Sequence, residues 1–190
     1  MTLVGRHVRL EPLDRAHAER LLPIALDPEL WRIGVEHAGS AEALHAYIDR
    51  ALAARDAGIA LPFATIDLAT GTAVGSTRFG NYEPAHRRIE IGWTWIGRAW
   101  QRTAVNTEAK LLMLTHAFET LGLRRVELKT DVLNERSRNA ILRIGAREEG
   151  ILRQHLVTWN GRVRDSVCFS ILGSEWPAAK ARLLERLAAR

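Results

Sequence analysis

Glu90 stands in the run Ile89-Glu90-Ile91-Gly92-Trp93-Thr94-Trp95-Ile96, and Gln101-Arg102-Thr103-Ala104-Val105-Asn106 follows just before a helical stretch. Strand alternation sets Ile89, Ile91, Trp93 and Trp95 on one face and Glu90, Gly92 and Thr94 on the other. A single carboxylate on such a face suits proton transfer as a general acid or base. The second segment reads as a tight loop opening a helix. The first N–H groups of a helix lack intrahelical partners and carry partial positive charge, so a phosphate-bearing ligand suits that position. Asn134 stands where a side chain caps a helix. The one cysteine, Cys168, lies in a strand-like run with no base in its pattern, so it reads as a buried structural thiol. Neither a metal-ligand spacing nor a Ser-His-Asp arrangement is recognisable.

These residues need a frame, and the chain supplies one. Its 190 residues suit a single domain over 1–190, and 47% hydrophobic with 26% charged residues is ordinary for a globular chain. No apolar run approaches the roughly 20 residues of a membrane span, and the N-terminal segment lacks a secretory core. One cysteine makes no internal disulfide, which fits a reducing, cytoplasmic setting. The net charge of +5 comes from scattered arginines, which disfavours a nucleic-acid partner.

Alternation predicts a first strand from His7 to Leu13, and Asp14 caps a helix from about Arg15 to Leu26. A second helix begins after Gly39-Ser40 and runs toward Gly58. Strands follow at Leu61–Leu68, Ala73–Asn81 and Arg88–Ile96. The next helix starts at Thr103 or Asn106 and ends at Leu121, with Leu111, Leu114, Phe118 and Leu121 as its apolar stripe and Gly122 as its stop. Arg125 to Val132 alternates strictly, Asn134 opens a helix that ends at Gly145, and Asn160-Gly161 reads as a two-residue hairpin turn. Trp176-Pro177 opens a last helix. In that hairpin Asp165 shares a face with Val163, Val167, Phe169 and Ile171. A carboxylate there needs a partner, with Arg153 or Arg164 nearest in sequence. Mixed hairpin and crossover links give a mixed α/β sheet with helices packed on it.

This order, from Gly5 to about Pro177, resembles the GNAT superfamily of N-acetyltransferases, most closely its ribosomal-protein N-terminal branch. The resemblance rests on Glu90-Ile91-Gly92-Trp93, Asn106-Thr107-Glu108-Ala109-Lys110, Lys129-Thr130-Asp131 with Asn134 and Ser137, Ile144-Gly145-Ala146, and Gly161 with Arg164-Asp165. It implies a mostly antiparallel sheet of about seven strands, splayed between the fourth and fifth. It also implies acetyl-CoA as co-substrate, no metal, and a primary amine as acceptor, attacked directly in a ternary complex. Trp95, Ile96 and Gly97 would run along the pantetheine arm. Arg98, Gln101, Arg102, Thr103, Ala104, Val105 and Asn106 would surround the pyrophosphate, although Ala104 stands where the family usually has Gly and Asn106 where it usually has Gly or Ala. Asn134 would meet the pantetheine amide, with Ser137 and Arg138 nearer the CoA entrance.

By the same resemblance Glu90, directly or through water, takes the proton of the amine. Ser137 replaces the tyrosine that many relatives use as proton donor, because Ile141 occupies that position. Trp31, Glu36, Trp93 and His155 are the side chains expected against the acceptor. A peptide or protein N-terminal amine leads. A small-molecule amine, such as an amino acid, polyamine or aminoglycoside, and a non-catalytic CoA-binding module are the alternatives. The resemblance also allows a homodimer through the terminal hairpin or last helix.

Overall fold

The computed structural model describes residues 1–189. In chain order the elements are β1 (Leu3–Val4), β2 (Val8–Pro12), α1 (His17–Ala25), α2 (Ala41–Asp56), β3 (Ala60–Asp67), β4 (Ala73–Glu83) and β5 (Arg88–Ile96). Then come α3 (Ala104–Thr115), β6 (Arg125–Asp131), α4 (Glu135–Arg143), β7 (Arg147–Val157), β8 (Val163–Leu172) and α5 (Trp176–Ala188). Among the described residues the strands form one sheet of eight, ordered β1-β2-β3-β4-β5-β6-β8-β7. The strand beyond the expected seven is the two-residue β1, which pairs Leu3 with Leu10 and Val4 with Arg9. Such a short edge carries no periodic signal.

Helices cover both faces, and the central strands β3 and β4 are accordingly buried along most of their length instead of alternating. On one face Val105, Ala109, Met113, Leu114 and Ala117 of the α3 region pack with Ile89, Ile91, Val126, Leu128, Val167 and Phe169, joined by Ile141 and Leu183 from α4 and α5. On the other, Leu21, Leu44, Tyr47, Ile48 and Ala51 from α1 and α2 pack on Ala64, Ile66, Ala73 and Trp95. Of the expected α3 stripe Leu114 and Phe118 are buried and Leu111 is partly buried, while Leu121 is 42% exposed, following a π turn over His116–Thr120 that rotates the end of the helix. Gly122, at φ +60°, stops it as expected. Ser40 caps α2 through Ala43 N–H at 3.1 Å. Asp14 accepts from His17 N–H at 3.3 Å, so α1 starts two residues later than the pattern suggested.

Two features of the β7–β8 hairpin differ from expectation. The β7–β8 loop is longer than two residues: Gly161 N–H bonds Thr158 O at 2.9 Å with Gly161 at φ +83°, the geometry of a three-residue loop closed by a left-handed glycine. Asp165 finds neither arginine. Its carboxylate accepts Gln154 N–H at 2.6 Å, inside a bulge where Arg153, Gln154 and His155 stand between the paired residues Leu152 and Leu156.

A buried carboxylate ties the N-terminal strands to α3. Glu108 accepts backbone N–H bonds from Arg6 (2.9 Å), His7 (2.6 Å) and Val8 (2.9 Å). A Cβ at position 5 would collide with this carboxylate, so Gly5 lets the backbone wrap it. Three donors converging on one buried anion form a strong, charge-assisted cluster. Glu108→Ala leaves those amides without their acceptor and is expected to destabilise the protein by about 2–4 kcal/mol. Urea denaturation measures the loss, and amide exchange at Arg6, His7 and Val8 should accelerate. Unchanged protection there would contradict this account.

Candidate active site

β5 and β6 run parallel and pair at only three positions, Arg88 with Arg125, Ile89 with Val126 and Glu90 with Glu127. Beyond Glu90 they part, while β6 stays paired to β8 as far as Asp131. A wedge opens between Ile91–Ile96 and Leu128–Asp131, and Glu90 sits at its apex. This is the expected splay, counted one strand later because of β1.

Glu90 is 8% exposed. Its Oε2 accepts from Lys129 Nζ at 2.6 Å and from Asn81 Nδ2 at 2.9 Å. Both bonds fall on one oxygen. Oε1 lies toward Gly92, where a Cβ would stand 3.2 Å away. The carboxylate is thus ion-paired at the apex and not the lone group the alternation suggested. Burial by itself would lower the Lys129 pKa, but contact with Glu90 and Glu127 raises it above the ordinary lysine value, so the ammonium stays charged at neutral pH.

The alternation of β5 breaks at a bulge. Ser76 pairs with Trp95 and Arg78 with Gly92, so Trp93 and Thr94 together face Thr77, with Trp93 at φ +51°. Faces exchange there. Ile89 and Ile91 point to the α3 side, whereas Trp95 packs with the α1–α2 cluster. Thr94, expected beside Glu90, turns to the α3 side and meets Lys110. Gly97 N–H donates to Val74 O at 2.8 Å, so ladder alternation turns Ile96 N–H away from β4, toward the wedge.

At the wide end of the wedge stands the start of α3. Thr103, not Asn106, is its N-cap: Oγ1 accepts from Val105 N–H at 3.3 Å and donates to Trp100 O at 2.7 Å. Asn106 lies in the first turn. Arg102 adopts φ +64°, a left-handed backbone that reverses the chain into the helix. Gln101 bridges the wedge, with Nε2 on Ile96 O at 3.0 Å and Oε1 accepting from Arg136 at 2.8 Å. Arg98 lies 3.7 Å from Asp27. On the opposite bank Asn134 caps α4 through Ser137 N–H at 3.0 Å, with Ser137 half-buried beside it. Arg138 faces Val132 O and Glu148, each at 3.4 Å. A cleft of about 290 Å³ between Glu29, Arg32, Leu133, Asn134 and Arg136 adjoins this bank. A larger one, about 420 Å³, lies against Arg6, His7, Asp67, Trp100 and Ala104 and excludes Glu90.

The expected acceptor residues separate. Trp93, which alternation set opposite Glu90, is brought by the bulge to the Glu90 side, over Gly80 and Arg78, and is 38% exposed. Trp31 is 4% exposed, its ring 5.2 Å from Trp95 and its Nε1 bonded to Ala25 O at 2.8 Å, so it is a core anchor. Glu36 is paired to Arg50 at 2.9 Å. His155 Nδ1 lies 2.9 Å from Ser166 Oγ in the β7 bulge. Trp159, assigned no site role from sequence, joins two distant loops: Nε1 donates to Trp31 O at 2.8 Å and its ring stacks on His37 at 4.4 Å. The hairpin tip is thereby fastened to the α1–α2 connection beside the charged face of β6 and β8. Burial raises the Cys168 pKa, which keeps it a thiol.

A splayed parallel pair with a carboxylate at its apex and a helix N-terminus at its mouth is the layout that the resemblance to GNAT acetyltransferases implied. The acetyltransferase (GNAT) domain matches residues 7–147, so the chain belongs to the GNAT family and is an acetyltransferase. It is 31% identical to YdaF of Bacillus subtilis (strain 168), named provisionally as a ribosomal N-acetyltransferase, over 93% of this chain and 97% of that one. A GCN5-related N-acetyltransferase from Brucella melitensis superposes with TM-score 0.89 at 35% identity, covering 97% of this chain and 84% of that one. Mycobacterium smegmatis RimJ, in complex with CoA-disulfide, gives 0.78 at 26% identity over 94% and 88%.

Beneath the bulge lies a group the sequence did not reveal. Lys110 of α3 is fully enclosed, and its Nζ bonds Thr94 Oγ1 at 2.8 Å and Thr77 Oγ1 at 3.2 Å. Burial pushes its pKa down to about 7. The unfolded chain keeps the ordinary value of 10.5. Between these values the unfolded state holds the extra proton, so unfolding free energy rises with pH by about 1.4 kcal/mol per unit. The stability cost of charging Lys110 is full below pH 7 and is relieved above it. The stability difference between wild type and Lys110→Met, measured by denaturation from pH 6 to 10, is expected to grow in favour of wild type. A flat difference would show that Lys110 keeps its proton.

Proposed function

We propose that this acetyltransferase moves the acetyl group of acetyl-CoA onto a primary amine, with a peptide or protein N-terminus as acceptor, by direct attack in a ternary complex. The observation that carries this reading is the parting of β5 from β6 immediately past Glu90, which sets a buried carboxylate at the closed end of a backbone-lined wedge. The peptide acceptor draws on the name of YdaF, a provisional ribosomal N-acetyltransferase.

The residues present fit acetyl-CoA. The first-turn amides of α3 and the left-handed Arg102 offer a phosphate cradle, with Gln101, Thr103, Ala104, Val105 and Asn106 around it and Arg98 and Arg136 adding positive charge nearby. Without a glycine at position 104 or 106, the cradle relies on a small Ala104 and on the Thr103 cap. Along the wedge the open edge of β5 at Trp95–Gly97 takes the pantetheine as an added strand, with Asn134 opposite. Gln101 now occupies Ile96 O and yields it to the ligand's amide. A wedge-facing N–H of β5 polarises the thioester carbonyl and holds the oxyanion.

The amine must be neutral to attack. Glu90 Oε1 receives its proton, directly or through water, while Lys129 and Asn81 hold Oε2 and fix the carboxylate in place. The bond from nitrogen to the acetyl carbon forms as the bond to sulfur breaks. Ser137 is the group proposed to return a proton to the departing thiolate.

Calorimetric titration with acetyl-CoA, with desulfo-CoA and ATP as controls, tests the donor. Saturable binding that exceeds ATP binding is expected, and binding equal to ATP would overturn the assignment. Glu90→Gln removes the proton acceptor but preserves its shape. It is expected to lower kcat about 10²- to 10³-fold with acetyl-CoA binding retained. Wild-type turnover in this variant would remove Glu90 from the chemistry.

A further inference from the structure

Arg78 is a buried cation with no anion. It is 4% exposed, and its Nε and Nη2 are enclosed without a hydrogen-bond partner among the described residues. Its Cζ lies 5.1 Å from the Tyr47 ring and 5.0 Å from the Trp93 ring. A guanidinium cannot shed its charge at any pH the protein survives. The two rings stabilise the cation through their faces, but in-plane N–H groups need acceptors, which rings do not supply. Leaving them unmet is costly, and native chains keep such groups where a partner arrives.

Its place says which partner. Arg78 pairs with Gly92, and Gly80, two residues on, pairs with Glu90. Side chains two apart share a face, so Arg78 and Glu90 lie on the same side of the sheet at diagonal positions, within reach of one small group or one residue. That side is the α1–α2 side, because the neighbouring Ser76 hydroxyl meets Tyr47 Oη at 3.3 Å. The cover over Arg78 is thin in one direction. Trp93 closes it, lies over Gly80, where a Cβ would be 2.6 Å from the ring, and is itself 38% exposed.

We propose that Arg78 binds a carboxylate of the acceptor, so that the molecule acetylated at Glu90 carries its amine and an anionic group together. The inference rests on the acetyltransferase reading and narrows its acceptor. The carboxylate has two sources: the α-carboxylate of a free amino acid, or an acidic side chain close to the N-terminus of a peptide. Trp93 shifts to admit it, and the bidentate geometry of the guanidinium fixes its orientation.

The test is steady-state kinetics on matched acceptors: free amino acids against their carboxamides, and peptides with Asp or Glu against Asn or Gln at the second position. The wild type is expected to favour the carboxylate of one pair by roughly tenfold to a hundredfold in kcat/KM, mainly through KM. Arg78→Met should bring that ratio near one, and Arg78→Lys should restore part of it. Which pair discriminates identifies the source. Equal use of carboxylate and carboxamide in both pairs would overturn the proposal while leaving the acetyltransferase intact. If no acceptor is turned over, the acceptor reading fails, and Arg78 is judged by thermal melting with N-acetylated carboxylates and their amides. A Tm rise specific to the carboxylate and absent in Arg78→Met supports the site, and no such rise refutes it.

Discussion

Backbone groups that leave a β-ladder must find other partners, and this constraint governs the structure around the β5–β6 wedge. Three parallel pairs hold the strands together, and then β6 follows β8 while β5 follows β4. Each strand keeps its outer neighbour, so neither collapses, and the inner edges face each other unpaired. A side chain already answers one of these groups, Gln101 on Ile96 O. An extended ligand with alternating amides answers them better than water can, because it offers donors and acceptors at strand spacing. The wedge therefore suits an extended, amide-bearing ligand, the feature on which the proposed seat of the pantetheine arm rests.

Holding the wedge open requires rigidity behind it, and α3 provides it with two buried polar residues of opposite kinds. Glu108 gathers three amides of the N-terminal strands, and Lys110 reaches the β5 bulge through Thr94 and Thr77. The pair lies two residues apart on one helix, so its two side chains leave in different directions: one fixes the far edge of the sheet and the other the strand that lines the wedge. The bulge is needed in turn. Without the extra residue at Trp93–Thr94, Trp95 would face α3 and the α1–α2 core would lose its central ring.

The order of elements was legible because it rests on hydrophobic period and turn residues, which act locally, whereas the place of the splay came only from the resemblance that this order carries. Glu90 was legible as a carboxylate on a strand. Its pairing with Lys129 was not, since that depends on two strands thirty-nine residues apart meeting in parallel register. The bulge hid the face exchange: one inserted residue inverts every later side chain, and only Trp93 at positive φ marks it. Trp31 and Glu36 fell in a loop whose contacts are all tertiary. Arg78 carried no pattern, and Lys110 was legible only as the end of the Asn106–Lys110 run, with nothing in it to mark a buried ammonium. Their burial is the signal, and burial belongs to the fold.

The charges on the sheet face beside the wedge explain why Arg78 stands apart. Arg88 pairs with Glu83 and Glu127, Arg125 with Glu127 and Glu149, Lys129 with Glu90 and Glu127, and Arg162 with Asp131. Every cation in that ladder meets a carboxylate, so the ladder presents little net field and orients groups instead of attracting them. Arg78 lies against the aromatic rings of Tyr47 and Trp93, and among the described residues it pairs with no carboxylate. Its Nε and Nη2 are enclosed without an acceptor two residues along β4 from the partner of Glu90. Complementarity to an anionic acceptor is the arrangement under which both the paired ladder and the enclosed guanidinium of Arg78 make physical sense.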